Sequence, residues 1–220
     1  IPLVLLRGKD RVIRTFYNVC SHRGATLVRE PRGNARMLTC FFHLWSYDDL
    51  GKCVSITRDE AYSSRQLEKQ NLGLREVKTE ISHGLVFVNL DDTSVPLNEF
   101  LGSALENFDK ILEGTEYEIF HFNRTLVHAN WKMFHETNMD SYHEFMHWVN
   151  RQTSLKAKNY YEREVKLYNN GHCTMDPLHA EYGNFPGWEQ RDKYTIPGAI
   201  PGEFRFVDLF PNTTVVSRST

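Results

Sequence analysis

The sequence predicts an α+β fold: a small all-β domain, then an antiparallel sheet with helices that is only partly present in these 220 residues. Two patterns lead to this class. Up to about residue 95, short runs rich in β-branched and aromatic residues alternate with turn residues, which is typical of strands. From residue 98, apolar residues recur at helical spacing before strand-like patterns return. We therefore expect two domains, residues 1–95 and 96–220.

Three hairpins are expected to build the first domain. Their turns contain glycine and polar residues, which supply the unusual backbone angles of tight turns. The apolar run 85–88 is expected to be the last buried strand, and residues 91–96 the linker. The predicted segments are strands 2–6 and 11–19 around a turn at 8–10, a hairpin at 45–55 turning at 48–51, and a hairpin at 74–90 turning at 82–84.

Helices and strands are both expected in the second domain. Apolar residues between 100 and 112 follow one helical stripe after the start signals Pro96 and Asn98, which predicts an amphipathic helix. The remaining predicted elements are a strand at 117–127, a helix from about 130 to 150, a hairpin turn at 169–171, and strands at 204–209 and 213–217.

Charge and composition exclude several classes of function. With 26 Lys+Arg and 28 Asp+Glu the net charge is -2, so neither nucleic acid nor an anionic membrane surface is expected as a partner. No apolar run approaches the roughly 18 to 20 residues of a membrane span, and no signal-peptide pattern opens the chain. We therefore expect a cytoplasmic protein. Because the chain opens at Ile1 without a Met and stops at Thr220 without a finishing element, we also expect an internal fragment of a longer subunit.

Two of the four cysteines stand close to histidines. Cys20 precedes His22, and Cys40 precedes His43. Two thiolates can hold one iron and two neutral imidazoles a second iron, which is the ligand set of a Rieske-type 2Fe-2S centre. Tetrahedral zinc is the alternative, although zinc modules usually pair like ligands in sequence. The mixed pairs therefore favour the iron-sulfur centre.

A second group of metal-binding side chains follows at helical spacing. Steps of 4, 3 and 4 residues would place all of them on one face of a continuous helix. Two imidazoles one turn apart beside a carboxylate are typical of non-haem Fe(II) oxygenases, although the pattern is weak when taken alone. Next to a 2Fe-2S motif it favours a mononuclear iron site, because one centre can store an electron while the other binds oxygen. The residues are Glu136, Asp140, His143 and His147.

Residues 18–25 and 40–48 closely resemble the two cluster loops of the Rieske oxygenases, the terminal components of ring-hydroxylating systems. These segments are Asn-Val-Cys-Ser-His-Arg-Gly-Ala and Cys-Phe-Phe-His-Leu-Trp-Ser-Tyr-Asp. Leu44 departs from the family, which more often has glycine at this position. Ala25 and Phe42 stand where respiratory-chain Rieske proteins carry an extra disulfide, so the resemblance implies the low-potential branch of Rieske proteins.

Residues 130–147 resemble the iron-binding helix of the Rieske oxygenase α subunit, which opens with Asn-Trp-Lys and carries Asp-x-x-His. The resemblance implies that His143 and His147 bind iron. It also implies that Asp140 is a bridging carboxylate, hydrogen-bonded to His143 and to a cluster histidine of a neighbouring subunit. Three residues separate the two histidines, where many members have four. The third iron ligand of the family is an acid further downstream, expected beyond Thr220.

Other polar and metal-binding side chains are given no role in either centre. The remaining acids are expected to be surface or turn residues: Asp176, Asp192 and Asp208. Five further histidines are expected to be partly exposed or hydrogen-bonded: His121, His128, His135, His172 and His179. Cys53 and Cys173 are expected to be small buried hydrophobes.

The resemblance implies a terminal oxygenase α subunit, with a Rieske domain at 1–95 that passes electrons to a mononuclear Fe(II) in a catalytic domain at 96–220. It implies activation of O2 and hydroxylation of a small organic substrate, with aromatic compounds as the leading class. Electrons would come from a ferredoxin or reductase that uses NAD(P)H, and the assembly would be a homotrimer or α3β3. The alternatives are a Rieske monooxygenase that demethylates amines or methyl ethers, a Rieske ferredoxin that only carries electrons, and a zinc-stabilised binding module.

Overall fold

A computed structural model describes most of the chain. The described residues are 1–62, 68–112, 117–140, 142–143, 146, 156–157, 162–181 and 203–218. The chain forms two compact units, Ile1–Ser94 and Val95–Thr220, whose residues contact one another mainly within each unit. The boundary between the units falls within the predicted linker. None of the helices in the described residues combines the length and the apolar character that a membrane crossing requires.

The first unit contains two antiparallel sheets. One sheet has four strands in the order β1-β2-β6-β7, and the other has three in the order β3-β4-β5. The three predicted hairpins are therefore confirmed as β1–β2, β4–β5 and β6–β7. The strands are β1 (Leu3–Arg7), β2 (Ile13–Tyr17), β3 (Leu38–Thr39), β4 (Ser46–Tyr47), β5 (Cys53–Ser55), β6 (Glu76–Ser82) and β7 (Leu85–Asn89), with 3-10 turns at Asp59–Ala61 and Lys69–Asn71.

The core of the first unit holds the candidate cluster loops in place. Phe16 from β2 and Tyr47 from β4 are among its fully buried side chains, and Cys20 and Cys40 belong to the same buried group. Gly51, in the turn between β4 and β5, has φ +76°, and a Cβ there would lie 2.4 Å from the Phe16 ring. Only glycine therefore allows this turn to close over the core.

The expectation that β7 is a buried strand is wrong. β7 forms as predicted, but it lies at the edge of the four-stranded sheet and pairs only with β6 among the described strands. Leu85 and Val88 are exposed, and Val86 and Phe87 are half-buried. A continuous apolar run cannot by itself distinguish a central strand from an edge strand, because burial depends on what packs against both faces.

The second unit begins with a helix that is interrupted. The sequence predicts one amphipathic helix over 100–112, but the structure has α1 (Leu97–Leu101), a 3-10 turn (Gly102–Ala104) and α2 (Leu105–Leu112). Gly102 adopts φ 50° and ψ -138°, which is incompatible with a continuous helix. The apolar stripe still faces inward, since Leu101, Ala104 and Ile111 are buried.

A third helix, α3 (Trp131–Met139), opens at a well-formed cap and ends earlier than expected. The Asn130 side chain accepts a hydrogen bond from the Lys132 N–H at 3.0 Å, which satisfies one of the free donors of the first turn. The predicted helix from about 130 to 150 is correct at its start. It is wrong as one continuous helix, because Asp140 leaves helical geometry.

An antiparallel sheet completes the second unit, so the predicted α+β class is confirmed. Its order is β12-β11-β10-β8, and β9 also pairs with β10. The hairpin predicted at 169–171 is confirmed, because Asn170 and Gly171 both have positive φ between two paired strands. The strands are β8 (Lys156–Ala157), β9 (Val165–Leu167), β10 (Cys173–Glu181), β11 (Glu203–Leu209) and β12 (Thr213–Arg218), with a 3-10 turn at Asn169–Gly171.

The strand predicted at 117–127 is absent. The segment is described and has no regular secondary structure, and its apolar side chains are exposed, Phe120 by 99%. A strand persists only when its backbone groups pair with a neighbour, and no described strand pairs with this segment. Its β-branched and aromatic composition predicted a strand, but composition does not supply the partner.

Candidate iron-sulfur and mononuclear iron sites

The two candidate cluster loops share one backbone design. In the first loop, the Gly24 N–H donates to the Cys20 carbonyl at 2.9 Å, and in the second the Leu44 N–H donates to the Cys40 carbonyl at 2.9 Å. In each loop the cysteine N–H also donates to the carbonyl five residues later, at 2.8 Å. Each cysteine is thus held at the base of a tight turn that carries its paired histidine.

In both turns, the residue four positions after the cysteine adopts the left-handed backbone conformation. Gly24 has φ 74° and Leu44 has φ 60°. Glycine adopts this region freely, whereas a side chain with a Cβ is strained there. Leu44 does not alter the turn: the structure keeps the same turn as in the first loop and places leucine in the conformation that favours glycine.

The two loops bring the predicted histidines together. The ring centroids of His22 and His43 lie 4.6 Å apart at an interplanar angle of 74°. The His22 ring also stacks on Trp45, with centroids 4.6 Å apart and planes 7° apart, so its orientation is fixed. The Nδ1 atom of His22 is buried and has no hydrogen-bond partner among the described residues. A buried ring nitrogen without a partner is the kind of atom that a metal ion satisfies.

The charge state of His22 suits a ligand. Burial lowers the pKa of His22, and the nearby His43 and Arg23 lower it further. The imidazole is therefore held in its neutral form, which is the form that binds metal ions.

The two predicted thiol ligands belong to the core of the first unit. Cys20 and Cys40 are both buried, and neither takes part in a disulfide. The Tyr47 hydroxyl lies 3.2 Å from the Cys20 sulfur and accepts a hydrogen bond from the Ser21 N–H at 3.0 Å. Burial raises the pKa of Tyr47 and the Cys20 contact adds to the rise, so the phenol keeps its proton and can donate it to a thiolate. Sequence reasoning missed this contact, which joins residues 27 positions apart.

The donor set fits a two-iron cluster better than a single zinc ion. Zinc modules usually pair like ligands in sequence, whereas each pair here combines one cysteine and one histidine. A Rieske 2Fe-2S centre needs only two protein ligands on each iron. Two buried thiols and two converging imidazoles meet that need.

The prediction that Glu136, Asp140 and His143 share one face of a continuous helix is wrong, and His147 lies outside the described residues. Asp140 has φ -87° and ψ 98°, so the chain leaves the helix there. Its Oδ1 atom accepts a hydrogen bond from the Tyr142 N–H at 2.8 Å. A short acidic side chain that bonds to the backbone two residues later ends one helix and can cap the next. Tyr142 and His143 are again helical.

Asp140 and His143 nevertheless remain together. The Nδ1 atom of His143 lies 2.6 Å from the Asp140 carbonyl oxygen and 3.9 Å from its carboxylate. With Nδ1–H donating to the backbone, the Nε2 atom carries the lone pair that a metal would take. His147, the second predicted iron ligand, lies outside the described residues, so its pairing with His143 stays a prediction.

The downstream acids do not all behave as expected. Asp176 is half-buried and accepts a hydrogen bond from the Glu164 N–H. Asp208 was expected at the surface, which is wrong: it is only 4% exposed and contacts the His135 ring. Asp192 lies outside the described residues.

Comparison with known proteins identifies the first unit. The family model of the Rieske [2Fe-2S] domain matches residues 1–72, which include all four predicted cluster ligands. Two solved structures share the fold of the chain. A quaternary ammonium Rieske monooxygenase has a TM-score of 0.78 at 22% identity, covering 99% of this chain and 54% of that one. Naphthalene 1,2-dioxygenase from Rhodococcus sp. also has a TM-score of 0.78 at 22% identity, covering 98% and 54%.

Curated relatives extend the likeness across both units. The α subunit of 2-aminobenzenesulfonate 2,3-dioxygenase from Alcaligenes sp is 49% identical over 221 residues, covering 100% of this chain and 56% of the relative. The hydroxylase α subunit of methanesulfonate monooxygenase from Methylosulfonomonas methylovora is 34% identical over 220 residues, covering 96% and 53%. The chain thus spans about half the length of the curated relatives it matches. The paired cluster loops, the Rieske domain match and these relatives together show that the chain belongs to the α subunits of the Rieske oxygenases.

Proposed function

We propose that this chain forms part of a terminal oxygenase that passes electrons from a Rieske cluster to a mononuclear Fe(II), where O2 is activated and an organic substrate is hydroxylated. In this proposal residues 1–95 form the Rieske domain and 96–220 belong to the catalytic domain. The observation that carries it is the pair of similar loops, which set the ring centroids of two histidines 4.6 Å apart and bury the cysteine paired with each. The proposed ligands are Cys20, His22, Cys40 and His43 for the cluster, and His143 and His147 for the iron.

Each group of residues has a separate task in this proposal. When bound, the two iron centres supply one-electron transfer and oxygen chemistry. The buried cysteines contribute negative charge, and the neutral histidines keep the reduction potential above that of a four-cysteine cluster. The Asp140 carbonyl accepts a hydrogen bond from Nδ1 of His143 and fixes its ring. The proposed role of the Asp140 carboxylate is to link that ring to a cluster histidine of a neighbouring subunit.

A second copy and an electron donor are the proposed macromolecular partners. The relatives are named α subunits, and one structural neighbour is described in terms of inter-subunit electron transfer. We infer a homotrimer or α3β3 assembly, fed by a ferredoxin or reductase that uses NAD(P)H. A cytoplasmic location is also part of the proposal.

An aromatic sulfonate is the substrate class that the relatives favour. The relative at 49% identity is named for dioxygenation of 2-aminobenzenesulfonate, and the next is named for monooxygenation of methanesulfonate. We therefore propose hydroxylation of an arylsulfonate, with monooxygenation of a small alkyl sulfonate as the second candidate. An electron-carrying ferredoxin is disfavoured, because the likeness to oxygenase α subunits continues through the second unit.

The proposal is tested on the whole purified protein with its electron donors. Iron and acid-labile sulfide analysis should give a 2Fe-2S cluster plus one further iron per chain. Oxygen uptake should then depend on an added arylsulfonate, and exceed the uptake seen with the matched aromatic carboxylate or with methanesulfonate. One zinc ion per chain and no labile sulfide would contradict the proposal. Uptake with methanesulfonate alone would favour the second candidate.

A further inference from the structure

A row of polar side chains crosses three neighbouring strands of the second unit. Cys173 on β10 stands opposite Asp208 on β11, and Asp208 stands opposite Thr214 on β12. In an antiparallel sheet, directly opposed residues project to the same face. Asp208 therefore lies at the centre of a row that reads thiol, carboxylate, hydroxyl across the sheet.

The Asp208 carboxylate is enclosed by donors. The Nδ1 atom of His135 lies 2.7 and 2.8 Å from its two oxygens, and the Thr214 hydroxyl donates to one of them. The Cys173 sulfur lies 3.9 Å from the other. Burial raises the pKa of Cys173 to about 11, and the neighbouring Asp208 carboxylate contributes, so this thiol stays protonated. Cys173 is thus a hydrogen-bond donor to the carboxylate and not a nucleophile.

This carboxylate is where helix α3 meets the sheet. His135 and Asn138 lie three positions apart on one helical face, and both reach the row, Asn138 through a 3.3 Å hydrogen bond to Thr214. A buried carboxylate is costly unless its donors stay in place, so it resists displacement of the helix that carries His135. An apolar contact would permit α3 to slide or rotate, whereas this arrangement defines one position.

The anchored helix leads directly into the candidate iron site. α3 ends at Met139, and Asp140 and His143 follow within one turn. We propose that His135 and Asp208 are positioning residues, which fix α3 on the sheet and so place Asp140 and His143 for the mononuclear iron. This inference rests on the proposed function, because it assigns the pair a role toward that iron.

Substitutions can separate the hydrogen bond from simple packing. His135→Phe keeps an aromatic ring but removes the N–H donor, whereas His135→Asn retains an N–H close to the position of Nδ1. Asp208→Asn removes the negative charge at nearly constant volume. Asp176→Asn is the matched control, because Asp176 is a carboxylate on neighbouring β10 that bonds to the Glu164 backbone and lies 3.7 Å from Lys166.

The readout is the electron paramagnetic resonance (EPR) spectrum of the nitric oxide adduct of the mononuclear ferrous ion in the holoprotein, with the reduced cluster spectrum as internal reference. His135→Phe and Asp208→Asn should change the line shape of the adduct and lower kcat at least tenfold. The KM for the organic substrate should stay within twofold, and the cluster spectrum should not change. His135→Asn should recover most of the kcat, and Asp176→Asn should match the wild type.

Three outcomes would overturn the inference. If His135→Phe and Asp208→Asn only lower the melting temperature, with wild-type adduct spectrum and kcat, the pair is structural. If Asp176→Asn behaves like Asp208→Asn, the effect is not specific to the contact between His135 and Asp208. If the wild-type holoprotein holds a cluster but no mononuclear iron, the proposed function fails as well, a result that the first two outcomes do not produce.

Discussion

Leu44 occupies a turn position whose backbone conformation favours glycine. It holds φ 60°, a conformation that costs an L residue roughly 1 to 2 kcal/mol and glycine almost nothing. Its side chain is 55% exposed, so packing offsets little of the strain. The turn persists because both backbone hydrogen bonds of the loop depend on it.

Leu44→Gly should therefore raise the free energy of unfolding by about 0.5 to 1 kcal/mol, after the greater chain entropy of glycine is subtracted. Urea denaturation of the cluster-loaded protein measures this change. Leu44→Ala is the control, because it shortens the side chain but keeps the strained Cβ, and it should give no gain. A loss of stability in Leu44→Gly would show that the leucine side chain has a packing role.

Tyr47 offers a second test at the scale of one residue. Its hydroxyl, 3.2 Å from the Cys20 sulfur, can donate a hydrogen bond that strengthens when the reduced cluster places more negative charge on that sulfur. Tyr47→Phe should therefore lower the reduction potential. A difference of roughly 1 kcal/mol between the two redox states corresponds to about 40 mV for one electron.

Spectroscopic redox titration of the cluster checks this shift. Tyr62→Phe is the matched control, because Tyr62 packs against the same core and no contact with the Cys20 sulfur is found for it in the described structure. An unchanged or higher potential in Tyr47→Phe would mean that the hydroxyl does not donate to the cluster ligand.

Among the elements, α3 depends on the two cap residues that flank it. Asn130 caps the helix through its side chain, and Asp140 ends it. Asn130→Ala should lower the free energy of unfolding by about 1 kcal/mol, whereas Asn130→Asp should keep most of the stability because it retains an acceptor. Thermal unfolding monitored by helical circular dichroism measures both. Equal stability of the alanine and aspartate variants would contradict the role of the cap.

Elements were predictable where local sequence alone defines them. The turn at Asn170 and Gly171 needs two residues that tolerate positive φ, and the chain supplies both in adjacent positions. The strand expected at 117–127 failed because pairing depends on a partner remote in sequence. The long helix expected to 150 failed at Asp140, because helical spacing of metal-binding side chains does not reveal that a carboxylate bonds to the backbone instead.

For the molecule as a whole, the part of each site that could be predicted from the sequence is the part whose contacts are local along the chain. The cluster loops are short contiguous motifs, so their ligands could be proposed from spacing and chemistry, and the structure brings His22 and His43 together. The pairing of His135 with Asp208 joins residues 73 positions apart on a helix and a strand, and no local pattern specifies it. The assignment of His147 stays a prediction.

The proposed function depends above all on two imidazoles and two thiolates that hold one 2Fe-2S cluster in the first unit. Pulsed EPR of the dithionite-reduced protein can identify these ligands, because histidine nitrogens bound to the paramagnetic cluster couple to its electron spin. We predict two strongly coupled nitrogens in the wild type, both of them lost when His22 and His43 are replaced together. A reduced cluster without strong nitrogen coupling, or a protein with no paramagnetic signal and a bound zinc ion, would contradict the account.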